Sequence, residues 1–524
     1  MSRAAVERGL ILAVTLVLIG LLALTMAGFV FFVKAETAGI HARSDGEQAR
    51  LAAESGLEEL VSILRDSPHD ATAWFDVPTR FRHALVWAQE FDRDSDPVAQ
   101  MGSRQEYIDS GEALLPSWRY SLVARRFDGP PDTMRFGVTP ESAKLNLNFA
   151  TEEQLTKLFS PLLLDIGIEN PSRLVDALLD WRDADDDVRT NGAESEQYRA
   201  LTPAYDAKNG PFDTVDELLL VKGFSAAVLY GEDINRNGIL DENEDDGETS
   251  EPFYDNGDGV LNPGIAPFLT VWAREVDTAI DNKPRINLNL DAGAINAAVA
   301  AVFDETDNQQ EVVISQEAID FLLGLKAQNF NFSQLRSVAD LYVSDEERDA
   351  VAAAAAEPNL PAPQIPQELL ASPVTLEDLG ALMDRFSVRN PQQANAAIVG
   401  TFNINAAPSR VLELIPGITP EAVDAIVATR GSLERADLMT PAWPLTRAGV
   451  DPTTFKQIAP FLTTKAYQFH VEALGYGDHV QLSRRIEWII EMVGPLAQVK
   501  YRRDLTRLGM AWPIDDESIL VNGQ

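Results

Sequence analysis

The 524-residue chain has no cysteine, which excludes disulfides, thiolate zinc sites and cysteine nucleophiles but leaves the redox compartment open. Histidine is nearly as scarce, and His41, His69, His83, His470 and His479 are scattered without ligand spacing. There is no P-loop, no dinucleotide-binding glycine pattern, no HExxH and no GxSxG. Enzymatic activity therefore has no motif behind it, and no residue is assigned a catalytic role. Positive charge is also short: 43 Lys and Arg face 81 Asp and Glu, a net charge of −38. Such a surface repels phosphate backbones and anionic lipid heads, so nucleic acid is not an expected partner, whereas divalent cations suit it. With 45% apolar and 24% charged residues, the composition is that of a globular protein long enough for two or three domains.

One long hydrophobic run stands against this polar background. Arg3 and Arg8 precede an apolar stretch from Leu10 to Val33, closed by Lys34. At about 1.5 Å per residue, its roughly 24 residues would cross a hydrocarbon core of about 30 Å. A signal-peptide core of about 7–15 residues would be shorter, although Thr25-Met26-Ala27 gives a weak cleavage site and an ordinary single-pass anchor is a further reading. From Glu36 to Leu64 there is no proline, and Ala49, Ala52, Ala53, Leu57, Leu60, Val61 and Leu64 recur at three- and four-residue steps. The pattern predicts one rod of about 55 residues, membrane segment and amphipathic helix in one. Basic residues before the apolar run place the N-terminus in the cytoplasm and the acidic bulk outside.

Ser117–Phe127 alternates as a strand, Gly129–Asp132 is a turn, and Met134–Pro140 reads as a return strand. From Lys144 the texture is helical and one phrase recurs: KLNLNFATEEQL, RINLNLDAGAINAAV and TFNINAAPSRVLELI each join an Asn-x-Asn piece to a helix start. Asn, Thr and Asp there are expected to cap the helices. Asp213–Phe224 and Pro373–Met383 look like further helices of this kind, and Ala350–Pro366 reads as a flexible insertion. After Phe461, three alternating stretches form an antiparallel meander. Strands before about 140 and after about 460 would then make one sheet on the N-terminal helix, with the helical middle inserted.

Two acidic segments carry the spacing of a calcium loop. Asp233, Asn235, Asn237, Asp241 and Glu244 take positions 1, 3, 5, 9 and 12, with Gly238 at the sharp turn and the Ile239 carbonyl at position 7. Asp183, Asp185, Asp187, Asn191 and Glu194 repeat that spacing, with Val188 in place of the glycine. A third patch keeps Asp258 and Gly259 without a full ligand set. Without Ca2+ these carboxylates would repel one another, so the ion's expected role is to fold and lock the loops.

Ile415–Arg430 resembles a helix-hairpin-helix, but Thr419 replaces the second glycine and basic neighbours are few, so the hairpin is read as packing. Taken together, Arg8-Gly9 ahead of the apolar helix, ARLAAESGLEEL, DWRDADDDVRTNGAE, NGPFDTVDELLLVKG and FNINAAPSRVLELIPGI resemble the general secretion pathway protein K family, the large minor pseudopilins of type II secretion. The resemblance covers most of the chain, with Asp233–Asn262 and Ala350–Pro366 as additions to the family pattern.

It implies an α+β fold: a pilin-like long N-terminal helix and antiparallel sheet, with a large inserted α-helical (SAM/helix-hairpin-helix-like) domain. The implied division is a leader at 1–9, a transmembrane helix at 10–33, a pilin-like part at 34–140, the inserted domain at 141–460 and a β-meander at 461–524. Prepilin peptidase would cut between Gly9 and Leu10, leaving Leu10 as the methylated N-terminus. Val14 then stands fifth, where most pilins carry glutamate, a departure that marks the K-type subunit at the filament tip. The implied protein is non-enzymatic, a single-pass subunit of the bacterial inner membrane with a periplasmic bulk. Its partners would be I- and J-type minor pseudopilins and other pseudopilus subunits, with Ala49, Ala52, Ala53 and Gly56 permitting close helix packing, and the secretin or exoproteins as further candidates. A membrane-anchored calcium-dependent adhesion or binding protein is the alternative; a hydrolase is a third option.

Overall fold

The computed structural model describes residues 3–88, 98, 104, 116–129, 133–302, 314–356, 364–393, 396–480 and 482–510. Helix α1 (Arg3–Asp66) is unbroken over 64 residues. Its apolar half has the length and composition of a membrane span, and its side chains from Val14 to Val33 are exposed. Further along, Ala49, Ala52, Ala53, Leu57, Leu60, Val61 and Leu64 turn one buried stripe onto a sheet.

That sheet has the order β1 (Ala84–Ala88), β2 (Ser117–Leu122), β4 (Gln468–Gly477), β5 (Ser483–Val493), β6 (Leu496–Asp504), with the short β3 (Thr139–Pro140) also on β4. Every pairing is antiparallel. Strands from both ends of the chain thus form one layer, with Gly475 opposite Tyr120 and Ala473 opposite Ile486.

The helix lies against this sheet at backbone distance. A Cβ on Gly475 would come within 1.9 Å of the Ala49 carbonyl oxygen and 2.5 Å of the Ala53 nitrogen. One on Gly56 would come within 2.6 Å of the Tyr120 ring. This corrects the role read for Ala49, Ala52, Ala53 and Gly56. The three alanines are at most 1% exposed, so these small residues serve contact within the chain and are not available to grip another subunit.

The helical layer occupies the span between β3 and β4 and contains one unit three times. Leu145–Asn146 pairs in parallel with Leu269–Thr270, Ile286–Asn287 with Phe386–Ser387, and Phe402–Asn403 with Leu462–Thr463. In each unit the first asparagine donates its amide to a backbone carbonyl just past the partner strand: Asn146 to Ala273 (2.9 Å), Asn287 to Arg389 (3.0 Å), Asn403 to Lys465 (3.1 Å). Its Oδ1 accepts from the second asparagine's backbone N–H. The asparagines therefore clamp distant strands rather than cap helices. Capping falls to Thr151, before α2 (Glu152–Asp165), and to Asp291, before α4 (Ala292–Val302); α3 (Ser172–Arg182) lies between these two helices.

Other boundaries move as well. The strand expected over Ser117–Phe127 breaks at Val123, and Ala124–Arg125 pairs separately with Met134–Arg135. Leu462–Thr463 belongs to the third unit, so the sheet strand begins only at Gln468. Part of the proposed flexible insertion is the end of a helix, Asp345–Ala356, as an alanine run favours; residues 357–363, like 511–524, lie outside the described residues.

The layers meet at charged and aromatic contacts. Arg274 makes two 2.7 Å bonds to the Glu491 carboxylate, and buried Lys465 lies 3.5 Å from Glu275. Beside them His69 accepts from the Ala466 N–H at Nδ1 (3.3 Å) and stands edge-on to Tyr467. Burial, reinforced by Lys465, lowers its pKa to about 4.

Two outcomes follow from this packing. Gly475→Ala should cost about 3 kcal/mol by overpacking, measured as a fall in melting temperature, while Gly431→Ala, with nothing near its Cβ, should be close to neutral. The unfolded His69 ring binds a proton near pH 6.5 and the folded ring only near 4. Its contribution is therefore present above pH 6.5 and lost, up to about 3 kcal/mol, as the pH falls toward 4. Denaturant titrations should show this slope, and His69→Gln should lessen it. His83, lowered to about 3 by burial, adds to the slope in the same direction.

Candidate metal centres

The loop at 233–244 follows the short helix Ala226–Tyr230 and turns at Gly238, whose φ of +75° favours glycine. Its side chains close on its own backbone. Asp233 Oδ2 accepts from Gly238 N (3.0 Å), Asn235 Oδ1 from Asn237 N (2.9 Å) and Asn237 Oδ1 from Ile239 N (2.7 Å). Glu244 spans the loop, accepting from Ile234 N (3.1 Å) and Asp241 N (3.2 Å). Asp241 Oδ2 takes the side-chain amides of Asn235 and Asn237 at 2.7 and 2.8 Å.

Two observations fit a cation here. Asp233 is 7% exposed and Glu244 1%, yet Asp233 Oδ1 has no hydrogen-bond partner. Burial pushes Asp233 up to about 6, and burial together with Asp233 and Asp241 pushes Glu244 to about 7. Buried acceptors without donors require a proton or a metal ion. Asp233, Asn235, Asn237, Asp241, Glu244 and the Ile239 carbonyl are the hard oxygen donors that calcium takes. Among the described residues, however, no three acidic or imidazole groups converge tightly enough to hold an ion as they stand.

The loop at 183–194 is built differently from its spacing. Asp185 and Asp187 are exposed, and Asp185 Oδ1 accepts from Asp187 N at 3.0 Å. Asn191 turns away, its N–H and amide both on Asp176 Oδ2 at 3.1 and 2.9 Å. Arg189 N and Nε approach Asp180 at 3.2 and 3.4 Å. The centre of this site is Glu194, 2% exposed, with both carboxylate oxygens unpartnered, as is Asp183 Oδ1. Burial, then Asp180 and Asp183, push Glu194 up to about 7. Asp176 and Asp180 on α3 were not in the sequence reading, although Asp180 stands one helical turn before Asp183 and so on the same face.

The third patch is completed from elsewhere in the chain. Asp258 is exposed; its Oδ1 accepts from Val260 N (2.8 Å), and Asp258 N donates to Asn256 Oδ1 (2.9 Å). Gly259 N donates to Asp245 (2.8 Å), and Glu232 accepts from Asn262 N (2.9 Å) and Asn256 N (3.4 Å). Asp245 and Glu232 thus take the places that Asp233 and Glu244 hold in the first loop. Gly9 and Leu10 lie in the first turns of α1.

Residues 143–230 match the first-domain family model for type II secretion system protein K. A curated type II secretion system protein K from Klebsiella pneumoniae is 29% identical over 180 residues, 32% of this chain and 55% of that protein. One from Pseudomonas aeruginosa is 35% identical over 152 residues, 27% of this chain and 45% of that protein. The matches span about half the length of these curated relatives. The crystal structure of the GspK-GspI-GspJ complex from the enterotoxigenic Escherichia coli type 2 secretion system covers 89% of this chain and 98% of its own, at 13% identity. Its TM-score of 0.32 is too low to guide residue placement. The stretch 143–230 is thus similar to the first domain of type II secretion system protein K, in keeping with the family resemblance of the sequence.

Proposed function

We propose that the chain is a minor pseudopilin of a type II secretion system that caps the periplasmic pseudopilus and helps to initiate its assembly for protein export. One observation carries this reading: a stretch similar to the first domain of protein K, at 143–230, sits between the two halves of a sheet packed on a helix long enough to span a bilayer. The helix is the anchor and the filament-forming element. The bulk inserted beside the sheet would leave no room for a subunit stacked above, which fits a tip position. Catalysis plays no part in this role.

The proposed location is the inner membrane with a periplasmic bulk, and the proposed partners are I- and J-type minor pseudopilins. Since one face of α1 is committed to its own sheet from Ala49 to Leu64, those partners would meet the exposed helix from Val14 onward, where Leu16, Leu24 and Phe31 are each at least 69% exposed. Calcium at 233–244 and around Glu194 is part of the proposal. The support is the buried, donorless carboxylate oxygens of Asp233, Asp183 and Glu194.

Intact mass and N-terminal sequencing of the membrane-extracted chain, co-expressed with its prepilin peptidase, should give a chain beginning at Leu10, with or without a methyl group. A start at Met1 or beyond Ala27 would instead move the weight to an anchored or secreted calcium-binding protein. After metal stripping, added calcium should raise the melting temperature, and Glu194→Gln should remove part of that rise, since an uncharged amide cannot replace a ligating carboxylate. No change in melting on adding calcium would count against the cation sites.

A further inference from the structure

The loop at 233–244 touches the sheet as well as its own domain. Arg485 on β5 is 1% exposed and donates Nη1 to the Asn235 carbonyl at 3.0 Å and Nη2 to the Arg236 carbonyl. Its Nε pairs with Glu472 on β4. The Ile239 side chain packs on the core between sheet and α1, and a Cβ on Gly238 would lie 3.2 Å from the Arg125 side chain. Between sheet and inserted domain at this point lies a cavity of about 230 Å³, lined among others by Asp216, Asp233, Arg236, Arg485 and Arg503. Direct packing is therefore incomplete here, and the few anchors across the gap carry the contact.

We propose that residues 233–244 form a calcium-operated latch between the inserted domain and the sheet, with Arg485 as a positioning residue that holds the loop backbone in its cation-binding shape. The inference rests on the calcium reading above. Asn235 and Arg236 are the third and fourth residues of the loop, so fixing their carbonyls fixes the turn between Asp233 and Gly238. Ile239 supplies a ligand carbonyl and an apolar anchor from one residue. Glu472 offsets the guanidinium charge, so Arg485 adds little repulsion toward a cation nearby. Without the ion, the carboxylates of Asp233, Asp241 and Glu244 repel and the loop's shape is costly to hold; with it, the carbonyls are already in place for Arg485. Two events that favour the same loop conformation are linked, each strengthening the other by the same factor.

Calcium titration calorimetry on the full-length chain in detergent micelles, paired with hydrogen exchange over β5, tests this. Asp233→Asn should remove one calcium equivalent. Arg485→Gln and the milder Ile239→Ala, which touch no ligand atom, should each keep that equivalent but weaken its affinity, about tenfold for Arg485→Gln. Calcium should also slow exchange in β5 around Arg485 in the unaltered chain but not in Asp233→Asn. If Asp233→Asn leaves the stoichiometry unchanged, the calcium reading of this loop fails and the latch with it. If Asp233→Asn loses the equivalent while Ile239→Ala and Arg485→Gln bind calcium as tightly as the unaltered chain, the site stands and the latch is overturned.

Discussion

The architecture depends on how closely α1 approaches the sheet. At Gly475 the strand has no side chain, and the Ala49 carbonyl and Ala53 nitrogen occupy the space a Cβ would need. Helix and strand touch backbone to backbone, so each fixes the other's position with little slack. A helix held only through long side chains could rock; one seated on a glycine, with alanines on either side, transmits its orientation to the whole sheet. The apolar end of α1 and the folded body are consequently joined through one closely seated helix. The same contact explains the run of small residues in α1, whose pattern a partner helix would have explained equally well.

That ambiguity marks what the sequence could convey. Periodicity located α1 and its buried stripe, since Ala49, Ala52, Ala53 and Leu57 mark a helix face wherever the partner lies. It could not name the partner, because Gly475 is more than four hundred residues away in a strand whose glycine has no pattern of its own. The recurring Asn-x-Asn phrase revealed a duplication, but its role stayed hidden for the same reason: Asn146, Asn287 and Asn403 act on strands at 269–270, 386–387 and 462–463. Those strands were visible in principle, because the six residues Ile265–Thr270 recur unchanged at Ile458–Thr463. Two stretches that the meander and loop readings passed over are the closing strands of two copies.

The acidic loops divide along the same line. The compact shape of the first was legible because all its side chains come from twelve consecutive residues, where spacing is geometry. The second has the same spacing, but Val188 stands in the place of the turning glycine, so the chain cannot fold back on itself. Asn191 goes to Asp176 and Arg189 to Asp180, leaving Glu194 to collect the charge around α3. In the third patch the missing first and last residues are Asp245 and Glu232, both earlier in the sequence and in reverse order. A spacing rule registers neither.

The inserted domain leaves and re-enters the sheet at neighbouring strands, since Thr139–Pro140 pairs with Phe469–His470. Adjacent exit and entry points are what allow a sheet to accept an insertion of this size without losing its register. They also mean that the covalent joint resembles a pair of side-by-side straps, which resist translation far better than rotation. What sets the domain's angle to α1 must therefore lie off that axis. Arg274 on Glu491, Arg503 on Asp216 at 2.6 Å and Arg485 on the 233–244 loop are such contacts. All three are charged, two set a side chain of the sheet against a group of the inserted domain, and the third reaches a loop whose shape depends on balancing its own negative charge. In a chain with a net charge of −38, the cation proposed for the 233–244 loop would bear directly on how the bulk is held relative to the apolar end of α1.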